Sequence, residues 1–384
     1  MLPLSGIKVV EFCQVAAGPF CGVLLADMGA DVIKVESPEG GDGLRQWPPL
    51  TGGFSENFAS INRNKRSVAL NLKDEAQREA ARRLALSADV VVENFRPGVL
   101  AKLGLGYDAL ARDKPSLVYC SISAFGQSGP RSQEGGFDLT VQAIGGVMSV
   151  TGEPGGPPAK CGVPLADFGA GLYAAYAISC ALHAARRDGK GDHIDVSMLG
   201  ATLGMAALQT SEYFGTGRDP VKLGSAHPRN APYQAFQAKD GYFAMAAGND
   251  RLWKSVCRTV GNAALEQDAR FSSTSLRAKN QAALKEILEK SFAGKPVADW
   301  LRLFAEAGVP CAPINSYSQA LGDPQVEHMG WVQPVELPGG AKTRTFVSPL
   351  KMRNQRFGIA RRPPALGEHT DEVLSKLSTG QEQP

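Results

Sequence analysis

The residue in this chain with the strongest claim to chemistry is a carboxylate. Asp167 stands in Leu165-Ala166-Asp167-Phe168-Gly169, directly after GEPGGPPAKCGVP, a glycine- and proline-rich run that begins at Gly152. Such a run cannot be a helix or a central strand. The small-residue stretch from Phe168 to Ala185 has instead the composition of a long helix. A carboxylate at a helix start is held ionised by the helix dipole and by backbone N–H groups without intrahelical partners. Nearby glycines leave room for a bulky substrate. An ionised, accessible aspartate can act as a nucleophile, and the same position also suits an ordinary helix N-cap.

The commoner catalytic constellations are missing. The first strand-to-helix turn reads Gln14-Val15-Ala16-Ala17-Gly18-Pro19 and lacks the G-x-G-x-x-G that lets backbone approach a pyrophosphate. Neither a P-loop nor G-x-S-x-G nor H-E-x-x-H is present. Histidines 183, 193, 227, 328 and 369 form no i,i+4 pair, and the seven cysteines form no C-x-x-C. No metal site is expected, and the odd, unpaired cysteines fit a reducing cytoplasm.

The elements that must position Asp167 read as an α/β fold. Ile7–Phe12 is a β-branched run, Phe20–Met28 has helical apolar spacing, Gly29 ends that helix, and Asp31–Glu36 is a second strand. A helix between two short strands implies a right-handed crossover and a parallel sheet. Further strands are expected at 89–93, 117–122 and 193–197, with a helix at 76–87. Residues 213–231 read as a linker, and 233–237 and 242–247 as a hairpin around Asp240-Gly241. Helices are expected over 249–260, 278–292 and 296–307, then over 370–377, before a fraying tail from Ser378 to Pro384.

Composition narrows the class. Among 384 residues, 41 Lys and Arg against 38 Asp and Glu leave +3, without a basic stripe, so nucleic acid is not an expected partner. The most apolar stretch, 169–185, contains His183 and ends at Arg186-Arg187, so no membrane span is expected. Forty-three glycines and 25 prolines without a short period point to a loop-rich enzyme.

The segments LSGIKVVEF, AAGPFCGVLLADMGADVIKVE, GGDGLR, NRNKRSVALNLK, VVENFRPGVLAKLGLGYD, SISAFGQSGP and GFDLTVQAIGGVMSVTG resemble the class III CoA-transferases. GVPLADFGAGLYAAYAI, HPRNAPYQAF, AAGNDRLW, GVPCAPI and LGEHTDEVLSKL continue the likeness in order, over nearly the whole chain. The resemblance implies a large Rossmann-like domain with a parallel sheet built from both chain ends (1–215 and 330–384) and a smaller inserted α+β domain (225–325). It also implies an interlocked homodimer, acyl-CoA and carboxylic acid substrates, and no permanently bound cofactor beyond coenzyme A entering as substrate.

By the same resemblance Asp167 is the nucleophile, passing through an aspartyl anhydride and an aspartyl-CoA thioester. Val15, Ala16, Leu70, Asn71, Leu72, Lys73, Asn94, Phe95, Arg96 and Lys102 fall at positions that line the CoA site. Lys73, Arg96 and Lys102 suit phosphate, and Phe95 suits adenine. Ala16 and Ser37 depart from formyl-CoA transferase, which carries glutamine and arginine there.

Gly136-Phe137-Asp138-Leu139 separates two activities, because the related α-methylacyl-CoA racemases carry histidine where Phe137 stands and phenylalanine cannot be a base. Racemase and an inactive CoA-binding scaffold remain the alternatives. Phe137, Asp138, His227 and Arg229 are candidate substrate contacts, and the pattern around His227 is most like members handling small dicarboxylates with succinyl-CoA.

Overall fold

The computed structural model describes residues 1–355 and 357–379. Six strands, all but the third built on short β-branched runs, pair in parallel: β1 (Lys8–Phe12), β2 (Asp31–Glu36), β3 (Lys65–Ala69), β4 (Val90–Glu93), β5 (Val118–Ser123) and β6 (His193–Ser197). Their order is β3-β2-β1-β4-β5-β6, with Val9 pairing Val32 on one side and Val90 on the other. Val9, Val10, Val32, Val90, Val91 and Val92 have no exposed surface, as expected of a parallel sheet covered on both faces.

The helices that flank the site are α1 (Ala17–Asp27), α2 (Glu75–Ser87), α3 (Val99–Lys102), α4 (Asp138–Ile144) and α5 (Leu165–Asp188). α1 and α5 cover one face, where Cys21, Leu25, Ala170, Ala174 and Ile178 meet Val9 and Val92. α2 covers the other with Ala81, Leu84 and Ala85, and Asp74 caps it by accepting the Gln77 N–H at 2.9 Å. α1 ends at Gly29, whose φ of +99° favours glycine, as the sequence indicates. Gly171 lets α5 lie against α1, because a Cβ there would stand 2.8 Å from the Ala17 carbonyl oxygen.

Several elements differ from the sequence reading. β3 was not anticipated, because Lys65, Arg66 and Ser67 are polar yet buried in a strand. α5 starts three residues before Phe168, so Asp167 lies within its first turn and Pro164 is the N-cap. By length and composition α5 is apolar enough to cross a membrane, a property its 169–185 core did not suggest. Its buried Ala166, Ala170, Ala174 and Ile178 make it a core helix of the sheet. After α6 (Met198–Met205), α7 (Ala207–Thr216) occupies the beginning of the expected linker.

The chain divides into two compact units, Met1–Val147, Lys160–Arg218 and Pro324–Pro384 in one, Met148–Ala159 and Asp219–Asp323 in the other. The second unit holds β7 (Tyr233–Gln237), β8 (Tyr242–Ala246) and β9 (Cys311–Pro313), an antiparallel sheet in the order β9-β8-β7. Helices α8 (Asp250–Thr259), α9 (Gln281–Phe292) and α10 (Val297–Glu306) pack on it around Phe236, Phe243, Phe292, Trp300 and Phe304.

In the first unit, the hairpin β10 (Val332–Glu336) and β11 (Lys342–Phe346) precedes α11 (Thr370–Thr379). Just before and at the start of α11 the chain pairs with the open edge of β3. His369 N–H donates to the Ser67 carbonyl at 2.9 Å, and Ala69 N–H to Thr370 Oγ1 at 3.0 Å. The helix includes Ser378 and Thr379, the first two residues of the expected fraying tail, and residues 380–384 lie outside the described residues.

Candidate active site

Strand order reverses beside β1, whose two neighbours β2 and β4 are reached by connections in opposite directions. Ligands bind at such a switch point, outside the carboxyl ends of the strands. Gln14, Val15 and Ala16 follow β1 there, and Asn94, Phe95 and Arg96 follow β4. The Asn94 carboxamide joins the two loops: its oxygen accepts the Gln14 N–H at 2.9 Å, and its NH₂ donates to the Gln14 carbonyl at 2.8 Å. Val15 has a φ of +64°, a left-handed conformation that β-branched residues rarely adopt.

A cavity of about 260 Å³ opens between these loops and the start of α5, and Val15, Ala16, Phe95, Arg96, Phe137 and Asp167 line it. Asp167 is the third residue of α5. Its backbone is fixed from both sides. The Ala166 N–H donates to Asp138 Oδ1 at 2.9 Å, while the Phe168 ring stacks on Phe20 with centroids 4.3 Å apart. Asp138 is itself held by Gln142, whose Nε2 donates to Oδ2 at 2.7 Å and whose Oε1 accepts the Cys161 N–H at 2.8 Å. Asp138 thus supplies the cap that Pro164 cannot.

The Asp167 carboxylate accepts no hydrogen bond from any described residue. Burial, followed by the negative charge of Asp138, raises its pKa to about 7. This corrects the expectation of a firmly ionised aspartate: the helix terminus is outweighed by desolvation and by a like charge. The result is a half-buried carboxyl group that ionises near neutrality, basic enough to attack and open to the cavity.

A second cavity, also about 260 Å³, adjoins the first through Gln14 and Phe95. Leu70, Asn71, Leu72 and Lys73 line it where the chain leaves β3. Asn71 is partly committed, its Oδ1 accepting the Lys73 N–H at 3.1 Å. The Lys73 and Arg96 side chains are exposed, and Arg96 has no ion-pair partner among the described residues. Lys102, at the end of α3, lines neither cavity.

His227 and Arg229 belong to the second compact unit. His227 holds its own loop: Nδ1 accepts the N–H groups of Arg229 and Asn230, both at 3.1 Å, and the ring lies 5.1 Å from Tyr233. Phe137 is 75% exposed, so no core packing explains it. Among the described residues no cluster of His, Cys, Asp and Glu could hold a metal.

One feature beside the site escaped sequence reasoning. Glu11, Lys34, Asp42 and Lys65 form a fully buried charge network beneath the first turn, with Lys34 Nζ 3.1 Å from Glu11 and 2.9 Å from Asp42. Lys65 Nζ lies 2.9 Å from Glu11 and also donates to the Pro19 carbonyl at 2.8 Å. Gly22 makes room for it, since a Cβ there would overlap Glu11 Oε2. The signal available was a charged residue flanked by apolar ones in β1 and β2, Glu11 between Val10 and Phe12 and Lys34 between Ile33 and Val35.

Comparison with known proteins accords with this arrangement. The family description CoA-transferase family III matches residues 4–370. A succinate–glutarate CoA-transferase of Agrobacterium fabrum is 40% identical over 98% of this chain and 96% of its own length. The human succinyl-CoA:glutarate CoA-transferase is 38% identical over 98% of this chain and 86% of its own. The crystal structure of a CaiB/BaiF family protein from Brucella suis superposes with a TM-score of 0.88, at 40% identity, covering 98% of this chain and 99% of that one. On the sequence match along almost its whole length and on the shared architecture, the chain belongs to CoA-transferase family III.

Proposed function

We propose that the protein moves CoA from succinyl-CoA to a small dicarboxylate, of the size of glutarate or itaconate, with Asp167 as a covalent nucleophile. The observation that carries this reading is Asp167 itself, an unpaired carboxylate of raised pKa on the wall of the switch-point cavity. The substrates named for the Agrobacterium and human relatives support the donor and acceptor.

The Asp167 carboxylate attacks the thioester carbonyl, and the C–S bond breaks to give a mixed anhydride and CoA thiolate. The thiolate then attacks the aspartyl carbonyl and expels the donor acid, leaving a β-aspartyl-CoA thioester. The acceptor carboxylate attacks that thioester and releases the thiolate. Attack of the thiolate on the acceptor carbonyl yields the new acyl-CoA and regenerates Asp167. Phe137 offers no base for Cα proton abstraction, which disfavours racemisation.

CoA would lie across the two adjoining cavities, against the backbone of Val15 and Ala16, Phe95, and the 70–73 segment, with Arg96 and Lys73 toward phosphate. Lys102 is assigned to the outer phosphates. The protein acts in the cytoplasm as an interlocked homodimer. Exposed Leu172, Tyr173 and Tyr176 on α5, with Leu208 and Phe214 on α7, support a covered apolar face.

Incubation with succinyl-CoA and a panel of acids (glutarate, itaconate, oxalate, a monocarboxylate), read by mass spectrometry, tests the reading. Transfer to a five-carbon dicarboxylate is expected. Transfer only to oxalate or to monocarboxylates overturns the substrate assignment, and no transfer to any acid despite CoA binding overturns the activity.

A further inference from the structure

The turn that brings Val15 and Ala16 to the cavity is held in a conformation its residues would not choose. Val15, with φ +64°, is strained for a β-branched side chain. Ala16 starts α1 without a side-chain cap. The restraint comes from below. Asp42 is 1% exposed, and its Oδ1 accepts the Val15 N–H and the Leu44 N–H, both at 3.0 Å. Its Oδ2 lies 2.9 Å from Lys34 Nζ, and the same ammonium donates to the Cys13 carbonyl at 2.7 Å. The Asp42–Lys34 pair therefore grips residue 13 by its C=O and residue 15 by its N–H, on either side of Gln14, which Asn94 holds.

We infer that Asp42 is a positioning residue for CoA transfer. Its carboxylate keeps Val15 in the left-handed region and so keeps the start of α1 against the thioester end of CoA. The inference rests on the assignment of the switch-point cavity to CoA. A buried ion pair does not by itself contribute much stability, and replacing a whole pair with apolar residues of similar volume is often neutral. Four buried charges under one turn thus gain their purpose from the geometry they impose. Asparagine cannot substitute: with Oδ1 toward Val15 its NH₂ faces the Lys34 ammonium, and flipped it presents NH₂ to two N–H donors.

The test is a double-mutant cycle between Asp42 and Val15, read by calorimetric CoA binding and by transfer rate. Glycine at 15 adopts positive φ without strain, so the turn needs less restraint. Asp42→Asn should weaken CoA binding about tenfold and slow transfer at least as much, the scale of one charge-assisted hydrogen bond. In the Val15→Gly background the same substitution should cost less than about threefold.

The paired replacement Lys34→Met with Asp42→Leu removes the grip without leaving a buried charge unpaired. It leaves the Val15 and Leu44 N–H groups and the Cys13 carbonyl without these partners, so it should melt below the parent yet remain folded by circular dichroism, and show the same loss. Equal losses from Asp42→Asn in both backgrounds, or parental CoA binding and transfer in the paired replacement, overturn the inference. A parent that binds no CoA refutes the cavity assignment itself, which separates the two failures.

Discussion

Replacing Asp167 with asparagine should abolish transfer and, at pH 8, make the protein more stable. Folding raises this carboxyl from 3.8 to about 7, first through burial and then through Asp138. A raised carboxyl pKa means the folded state holds its proton more tightly than the unfolded chain. Its contribution is therefore fully favourable below the unfolded pKa and is lost as pH rises through about 7. Roughly three pH units at about 1.4 kcal/mol each give about 4 kcal/mol of destabilisation at pH 8. Solvent in the cavity screens the open side of the carboxylate, leaving about 2 kcal/mol.

The neutral amide escapes that cost, so the variant should melt roughly 2–4 °C above the parent at pH 8. At pH 5 the advantage should fall to less than half, because the parent carboxyl is then largely protonated in the folded state. Paired calorimetric melts at the two pH values measure it. An advantage at pH 8 that is absent, or one that persists undiminished at pH 5, would refute the argument that burial strains this carboxylate.

Three other substitutions probe the supporting groups. Asp138→Asn keeps an oxygen for the Ala166 N–H but removes a negative charge beside Asp167. The acidic limb of the kcat/KM profile should move to lower pH by up to about one unit, and an unmoved limb contradicts the coupling. Arg96→Ala should raise KM for acyl-CoA about tenfold and leave Tm nearly unchanged, because no described residue pairs with Arg96; a KM like the parent's removes it from the phosphate site. Glu11→Gln leaves both Lys34 and Lys65 short of charge compensation and should cost about 3–5 kcal/mol in urea unfolding. A parental midpoint would show that the buried network is not held by Glu11.

Much of the large unit was legible because most of its strands carry β-branched residues at short spacing between turn signals. Asp31–Glu36 and His193–Ser197 fall where β-branched residues place them, and Gly29 ends α1 where the chain must reverse its hand. β3 was hidden because Lys65 and Arg66 look like surface residues until folding brings Glu11, Asp31 and Glu372 to them. At the site, the Gly-Pro run announced Asp167 as a residue at a helix start. Its ionisation was not legible, since burial and the approach of Asp138 are products of the fold. Asn94 and His227 were expected as ligand contacts, and the loop-holding hydrogen bonds that both also make were not legible, because they depend on the folded path of the backbone.

The most direct test of the account is to find the covalent intermediate. The protein should be incubated with succinyl-CoA without acceptor, quenched, digested and read by tandem mass spectrometry. The account predicts CoA linked as a thioester on the peptide containing Asp167, released by hydroxylamine and absent from Asp167→Asn. Active transfer with the CoA adduct on another residue, or with no adduct on Asp167 under conditions that trap the enzyme in turnover, would contradict it.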